Sequence, residues 1–205
     1  VIEERAKGDP SAAQGIRNDI KKVIGLDLES IIPGSSEAEQ LKEVLIKKDM
    51  WSQYLEVGIG PDAEVFTKAQ PMSVMGIGAQ IGILEKSEWN NPEPEITLAV
   101  NARGKILGAA LGNDVNLRDI EGRSALLLGK AKDNNASAAI GPFIRLFDEN
   151  FSLDDVRMAE LSLTVRGLDQ FTLHGRSSMS KISRDVTDLV DETIGKHHQY
   201  PDGFC

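Results

Sequence analysis

Apolar residues recur at helical spacing through the first fifty positions and fall into short, turn-bounded runs after them. Asp9-Pro10 followed by Ile16, Ile20, Val23 and Ile24 predicts a helix with an Asp cap and Pro at its first position. The turn Ile32-Pro33-Gly34-Ser35 ends that unit. Ser36 with Glu39 three residues later fits a capping box, and Leu41, Val44 and Leu45 supply the stripe of a second helix running out at Lys47 and Lys48. Residues 1 to about 50 are therefore expected to be mainly helical.

After Trp51, Gly becomes frequent, β-branched residues cluster and turn residues separate the apolar segments, which predicts strands. The best pair is 95–100 with 105–111, joined by the hairpin turn Asn101-Ala102-Arg103-Gly104. A second pair is expected at 160–165 and 170–174 across Gly167. Ser183 is expected to cap a last helix carrying Val186, Leu189, Val190 and Ile194, closed by Gly195. There is no internal repeat and no low-complexity tract.

Composition narrows the function classes. A chain of 205 residues can bury a core without disulfides or a structural metal. Its net charge of -9 is the wrong sign for nucleic acid or anionic membranes, and no apolar run reaches the roughly eighteen residues of a bilayer span. Cys205 is the single cysteine, which removes a disulfide framework, a cysteine metal site and an internal cysteine nucleophile, and is compatible with the reducing cytoplasm. Val1 opens the chain without a basic-then-apolar leader, which argues against a signal peptide, and the turn-like end at Cys205 suggests a chain cut short.

Two acidic residues stand apart from the ordinary surface charges. Glu93 and Glu95 flank Pro94 directly before an apolar strand, and positions i and i+2 of an extended segment point to one side. Two carboxylates converging there need a cation or a shared proton to relieve their repulsion. On its own the tripeptide is weak evidence, and a solvated strand entry is the better reading of it. The run Gly112-Asn113-Asp114-Val115-Asn116-Leu117-Arg118-Asp119 follows the next strand, and a hairpin would return Asp114 towards Glu95. Three carboxylates suit Mg²⁺, which takes oxygen ligands and keeps exchangeable waters, whereas an Asx turn is the bland account of Asp114.

Other candidates are weaker. Lys132 between Lys130 and Asp133 fits a surface ion pair, and Arg118 with Asp119 fits a structural pair or support for Asp114, the structural role being preferred. His197 and His198 read as solvent-facing residues after a helix end, and His174 as a strand residue with a satisfied hydrogen bond. Met72, Met75, Gly76, Gly78 and Gly82 make residues 71–83 look like a nucleotide loop. The third glycine and following helix of that motif are missing, so a β-rich packing segment is expected instead.

The order Glu93-x-Glu95, then Gly112-Asn113-Asp114-Val115-Asn116-Leu117-Arg118-Asp119, then Lys132 and Gly141-Pro142 resembles the fumarylacetoacetate hydrolase superfamily. Spacings of 19 from Glu95 to Asp114 and 18 from Asp114 to Lys132 are more similar to its 2-keto-3-deoxyarabinonate dehydratase branch than to its acylpyruvate hydrolases. Glu64, in Ala63-Glu64-Val65-Phe66-Thr67-Lys68, is similar to that branch's glutamate ahead of an aromatic-rich strand. The resemblance covers about residues 55–205.

It implies an α+β fold, a mixed β-roll, after a helical segment at 1–54, with a catalytic domain at 55–205 cut short at its C-terminus. Glu93, Glu95 and Asp114 would hold Mg²⁺ (or Ca²⁺ or Mn²⁺), Lys132 would meet a small anionic keto acid and Glu64 would move protons, in a cytoplasmic homodimer. The implied reaction dehydrates a 2-keto-3-deoxy pentonate to 2,5-dioxopentanoate. Three departures are visible. Pro61 stands where the hydrolases carry a His three residues before their Glu, Asn135 stands where the family often has Asp, and the Gly-Thr loop expected after Pro201-Asp202-Gly203 lies beyond Cys205. The alternatives are a metal-dependent C–C hydrolase of acylpyruvates or diketo acids, and a non-catalytic dimerisation module.

Overall fold

The structure is a computed structural model that describes residues 31–205 and positions 11, 14, 15, 17, 18, 21, 22 and 25. Ser11, Gln14, Gly15, Arg17, Asn18, Lys21 and Lys22 are helical, while the expected cap and stripe residues Asp9, Pro10, Ile16, Ile20, Val23 and Ile24 lie outside the described residues. The later elements are, in chain order, α1 (Ser36–Lys47), α2 (Gln53–Ile59), β1 (Asn90–Asn91), β2 (Pro94–Val100), β3 (Ile106–Asp114), β4 (Asn116–Leu117), α3 (Arg118–Glu121), α4 (Leu128–Lys132), β5 (Ala138–Leu146), α5 (Leu153–Arg157), β6 (Glu160–Arg166), β7 (Thr172–Ser178) and α6 (Val186–Thr193). This is an α+β fold of short helices and open sheets. It divides into two compact units, Val1–Val65 with Lys181–Glu192, and Phe66–Ser180 with Thr193–Cys205.

In the first unit, α1 buries Ala38, Leu41 and Leu45 with Ile31, and Met50, Trp51, Leu55 and Ile59 pack around them. The cap is Ser35, not Ser36: Ser35 has the extended backbone a cap needs, and its Oγ accepts the Ala38 N–H at 3.2 Å. The strands expected directly after Trp51 are replaced by α2, because Leu55 and Ile59, four residues apart, share one helical face towards the α1 cluster. Ser183 is not the cap of α6 either. Its hydroxyl donates to the Gly58 carbonyl, and Asp185 Oδ1 takes the Thr187 N–H at 2.9 Å.

The second unit is built on the antiparallel sheet β2-β3-β5. The expected hairpin is present: Glu95 faces Gly112, and Asn101 Oδ1 accepts the N–H groups of Arg103 and Lys105 while Gly104 turns the chain at φ 77°. A separate antiparallel ladder joins β6 and β7. β5 was not anticipated, since Gly141-Pro142 within it reads as a break. Residues 71–83 do not form the expected β-rich packing segment. They hold a 3₁₀ turn at Pro71–Ser73 and an isolated bridge from Met75 to Ala139, and Met72 and Ile77 are 96% and 84% exposed. A small core of Leu117, Ile120 and Ala131, backed by Leu84 and Leu127, joins α3 and α4. No helix among the described residues is long and apolar enough to cross a membrane.

Leu41 is 1% exposed at the centre of the first unit's core. Leu41→Ala should destabilise the protein by about 2–5 kcal/mol in denaturant unfolding. Ile32→Ala, at a side chain 70% exposed, should leave the midpoint nearly unchanged. Equal midpoints for the two variants would show that the α1 cluster is not the core of that unit.

Candidate metal centre

Glu93 stands immediately before β2, and Asp114 is the last residue of β3. The paired strands bring them together: the Asp114 N–H donates to the Glu93 carbonyl at 2.9 Å, and the Glu93 N–H donates to Asn113 Oδ1 at 3.1 Å. Glu95, two residues on, shares the side of Glu93. One carboxylate oxygen each from Glu93, Glu95 and Asp114 lie within 4.8 Å of one another.

Two lysines answer this negative charge. Lys132, the last residue of α4 and 4% exposed, donates from Nζ to Glu93 Oε2 at 2.5 Å and to Asp114 Oδ2 at 2.8 Å, above the Phe66 ring. Lys68 Nζ lies 2.9 Å from Asp114 Oδ1, close enough for an ion pair though off the line of a hydrogen bond. The Lys68 ammonium also donates to the carbonyls of Val115 and Lys132 and to Ser137 Oγ. Burial pulls the Lys132 pKa down, but its hydrogen bonds to the Asp114 and Glu93 carboxylates, with their charges, outweigh it and leave the group above its ordinary value. Glu95 goes the other way for an acid. Its residue surface is largely exposed, yet the carboxyl itself is crowded by protein, and this loss of water with the charges of Asp114 and Glu93 pushes its pKa up to about 7.

A third layer holds the second. Asn116, fully buried, donates from Nδ2 to Glu93 Oε1 at 3.1 Å and to Glu121 Oε2 at 2.9 Å. Arg118 Nη1 pairs with Glu121 at 2.7 Å, and Asp119 accepts from Ser87 Oγ and the Glu88 N–H. Arg118 and Asp119 thus serve the local structure, each through another residue. Sequence reasoning passed over Lys68, Asn116, Glu121 and Ser137. Lys68 carries no local signal, and Asn116 and Glu121 lie inside the run that drew attention only to Asp114. Glu64 belongs to the first unit, exposed in the irregular segment after α2, next to Ala63, whose N–H donates to Glu192 Oε2. His197 and His198 are exposed, with His198 stacked on Tyr200, and His174 Nδ1 lies 3.2 Å from Thr164 Oγ1.

The donor set fits a hard divalent cation: three carboxylates within reach of one point, one of them driven towards the neutral form by burial and by the charges of the other two. A cation must displace the proton that Glu95 holds below about pH 7. Affinity for Mn²⁺ should therefore rise by up to about tenfold per pH unit from 5.5 towards 7 and level off above it, as read by titration calorimetry. Equal affinity at pH 5.5 and 7.5 would remove Glu95 from the ligand set.

No family model matches the chain. It is 31% identical over 165 residues to a Haloferax volcanii protein named "Probable 2-keto-3-deoxyxylonate dehydratase", covering 80% of this chain and 55% of that protein. It is 32% identical over 143 residues to 2-dehydro-3-deoxy-D-arabinonate dehydratase of Saccharolobus solfataricus, covering 68% of this chain and 46% of the relative. The chain thus spans about half the length of these relatives. Among solved structures it superimposes with a TM-score of 0.66 and 30% identity on 2-keto-3-deoxy-D-arabinonate dehydratase complexed with magnesium and 2,5-dioxopentanoate, over 74% of this chain and 53% of that one. In sequence and in fold the chain is a relative of the 2-keto-3-deoxyarabinonate dehydratase branch of the fumarylacetoacetate hydrolase superfamily.

Proposed function

We propose that this chain carries the centre of a magnesium-dependent hydro-lyase that removes water from a 2-keto-3-deoxy sugar acid, a pentonate, to give 2,5-dioxopentanoate. The observation that carries the reading is the convergence of Glu93, Glu95, Asp114 and Lys132 in a chain whose structural relative is complexed with magnesium and that product. Glu93, Glu95 and Asp114 hold the ion. When bound, it supplies Lewis-acid stabilisation of negative charge on the 2-keto acid. Dehydration takes a proton from C3 and a hydroxyl from C4. Lys132, at Nζ, and Glu64, at its carboxylate, divide that work: one accepts the C3 proton and the other gives the proton with which the C4 hydroxyl departs as water. The Phe66 ring beneath Lys132 limits water around the ammonium.

The catalytic domain occupies residues 55–205 in this reading, and the protein works in the cytoplasm as a homodimer. The exposed apolar residues Leu111, Phe143 and Leu146, at 58%, 72% and 59% on β3 and β5, support a partner of the same kind. Sedimentation of the full-length protein should give twice the chain mass, and a monomer at micromolar concentration would count against it.

Incubating the full-length protein with Mg²⁺ and a panel of 2-keto-3-deoxy acids and diketo acids, with products resolved by NMR, tests the reaction. Formation of 2,5-dioxopentanoate from the pentonate is expected. Cleavage of a diketo acid would establish the C–C hydrolase instead, and cation binding without turnover would establish a non-catalytic module. Glu64→Gln keeps the size and removes the titrating carboxylate. It should lower kcat by about 10²–10⁴ with metal affinity nearly unchanged. Unchanged turnover would reject the catalytic role, and lost metal binding would make Glu64 a ligand.

A further inference from the structure

The two oxygens of Glu93 face different partners. Oε2 pairs with Lys132, whose ammonium also holds Asp114 Oδ2, whereas Oε1 receives the amide N–H groups of Asn116 at 3.1 Å and Asn91 at 3.4 Å. Asn116 is 0% exposed and its Nδ2 bridges two carboxylates, Glu93 Oε1 and Glu121 Oε2. Its own Oδ1 is buried with no hydrogen-bond partner. An unpaired buried acceptor costs about 1–3 kcal/mol, so a residue kept only for packing would be better replaced by Leu. The opposite amide orientation would set Oδ1 against two carboxylate oxygens, which repel it. Both facts assign the side chain to its two donor contacts.

The other end of the bridge is fixed. Glu121 is 8% exposed and paired with Arg118 at 2.7 Å, and Asn116 is tied through the backbone ladder to Asn91 in β1. One six-residue run, 116–121, therefore supplies Asn116, its anchor Glu121 and the arginine that holds Glu121.

We propose that Asn116 is a positioning residue that commits Glu93 Oε1 to the protein, so that Glu93 meets a divalent cation through Oε2 alone. The inference rests on the cation reading of the three carboxylates. Asn116 is neutral, so its removal changes the aim of Glu93 without adding or deleting a charge. Outer contacts of this kind are worth about 10–100-fold in metal affinity.

Titration calorimetry of the full-length protein with Mn²⁺ tests it, alongside thermal unfolding in EDTA. Asn116→Leu should bind Mn²⁺ about 10–100-fold more weakly at a temperature where it is fully folded. A purely structural role predicts a lower Tm with affinity within about twofold of wild type, and that result overturns the proposal. Should Asn116→Leu fail to fold, a crystal structure of the wild-type protein with Mn²⁺ decides. Glu93 ligating through one oxygen, with the other on Asn116 Nδ2, is expected, and bidentate Glu93 overturns the proposal. A wild-type protein that binds no Mn²⁺ overturns the cation reading and this inference together, whereas tight wild-type binding with an unaffected variant overturns this inference alone.

Discussion

Repulsion among three crowded carboxylates is the constraint around which the second unit is arranged. Two unit charges about 4 Å apart repel by roughly 1 kcal/mol in bulk water and about 4 kcal/mol in partly shielded surroundings. Glu93, Glu95 and Asp114 each place an oxygen within 4.8 Å of the others, where the repulsion is only a little weaker. Lys132 and Lys68 offset part of this, since each lies within 3 Å of Asp114 and Lys132 also reaches Glu93. Glu95 has neither lysine in direct contact among the described ion pairs, and it is the carboxyl that carries the upward shift. The residual charge is what a divalent cation would satisfy.

Short elements hold these groups in place, and none of them is stable by itself. α3 has four residues and α4 has five, too few for an isolated helix in water. They persist because Ile120 and Ala131 pack with Leu117 in a small buried core, and because Lys68 ties the carbonyls of Val115 and Lys132 to Ser137. Lys132 sits at the last position of α4, where the helix dipole favours a cation. Hydrogen bonds and ion pairs satisfy most of these buried polar groups, and Asn91 Oδ1, Asp114 Oδ1 and Asn116 Oδ1 are left without a hydrogen-bond donor.

The relatives and the geometry contribute different things. Three acidic ligands beside a lysine can serve several reactions of keto acids, and a shared fold does not choose among them. The proposed substrate class rests on dehydratases that resemble this chain over most of its own length but about half of theirs. The placing of Glu93, Glu95, Asp114 and Lys132 comes from the chain's own hairpin and α4.

The sequence by itself determined what depends on local chemistry. The β2-β3 hairpin was legible because the apolar runs flank an Asn-to-Gly turn, and the acidic pair at Glu93 and Glu95 because a two-residue period puts both on one side. The α1 stripe was legible too, although its cap fell one residue early because Ser35 and Ser36 are chemically equivalent and only backbone conformation separates them. Tertiary structure alone decided the rest. β5 is a strand in spite of its Gly-Pro step because β3 offers it a ladder, and α2 is helical because Leu55 and Ile59 face an existing cluster. Lys68 reaches Asp114 from 46 residues away, and Asn116 bridges Glu93 to Glu121, through contacts that no local pattern encodes. Periodicity records which side of an element a residue faces, whereas the partner it meets there is set by how the elements pack.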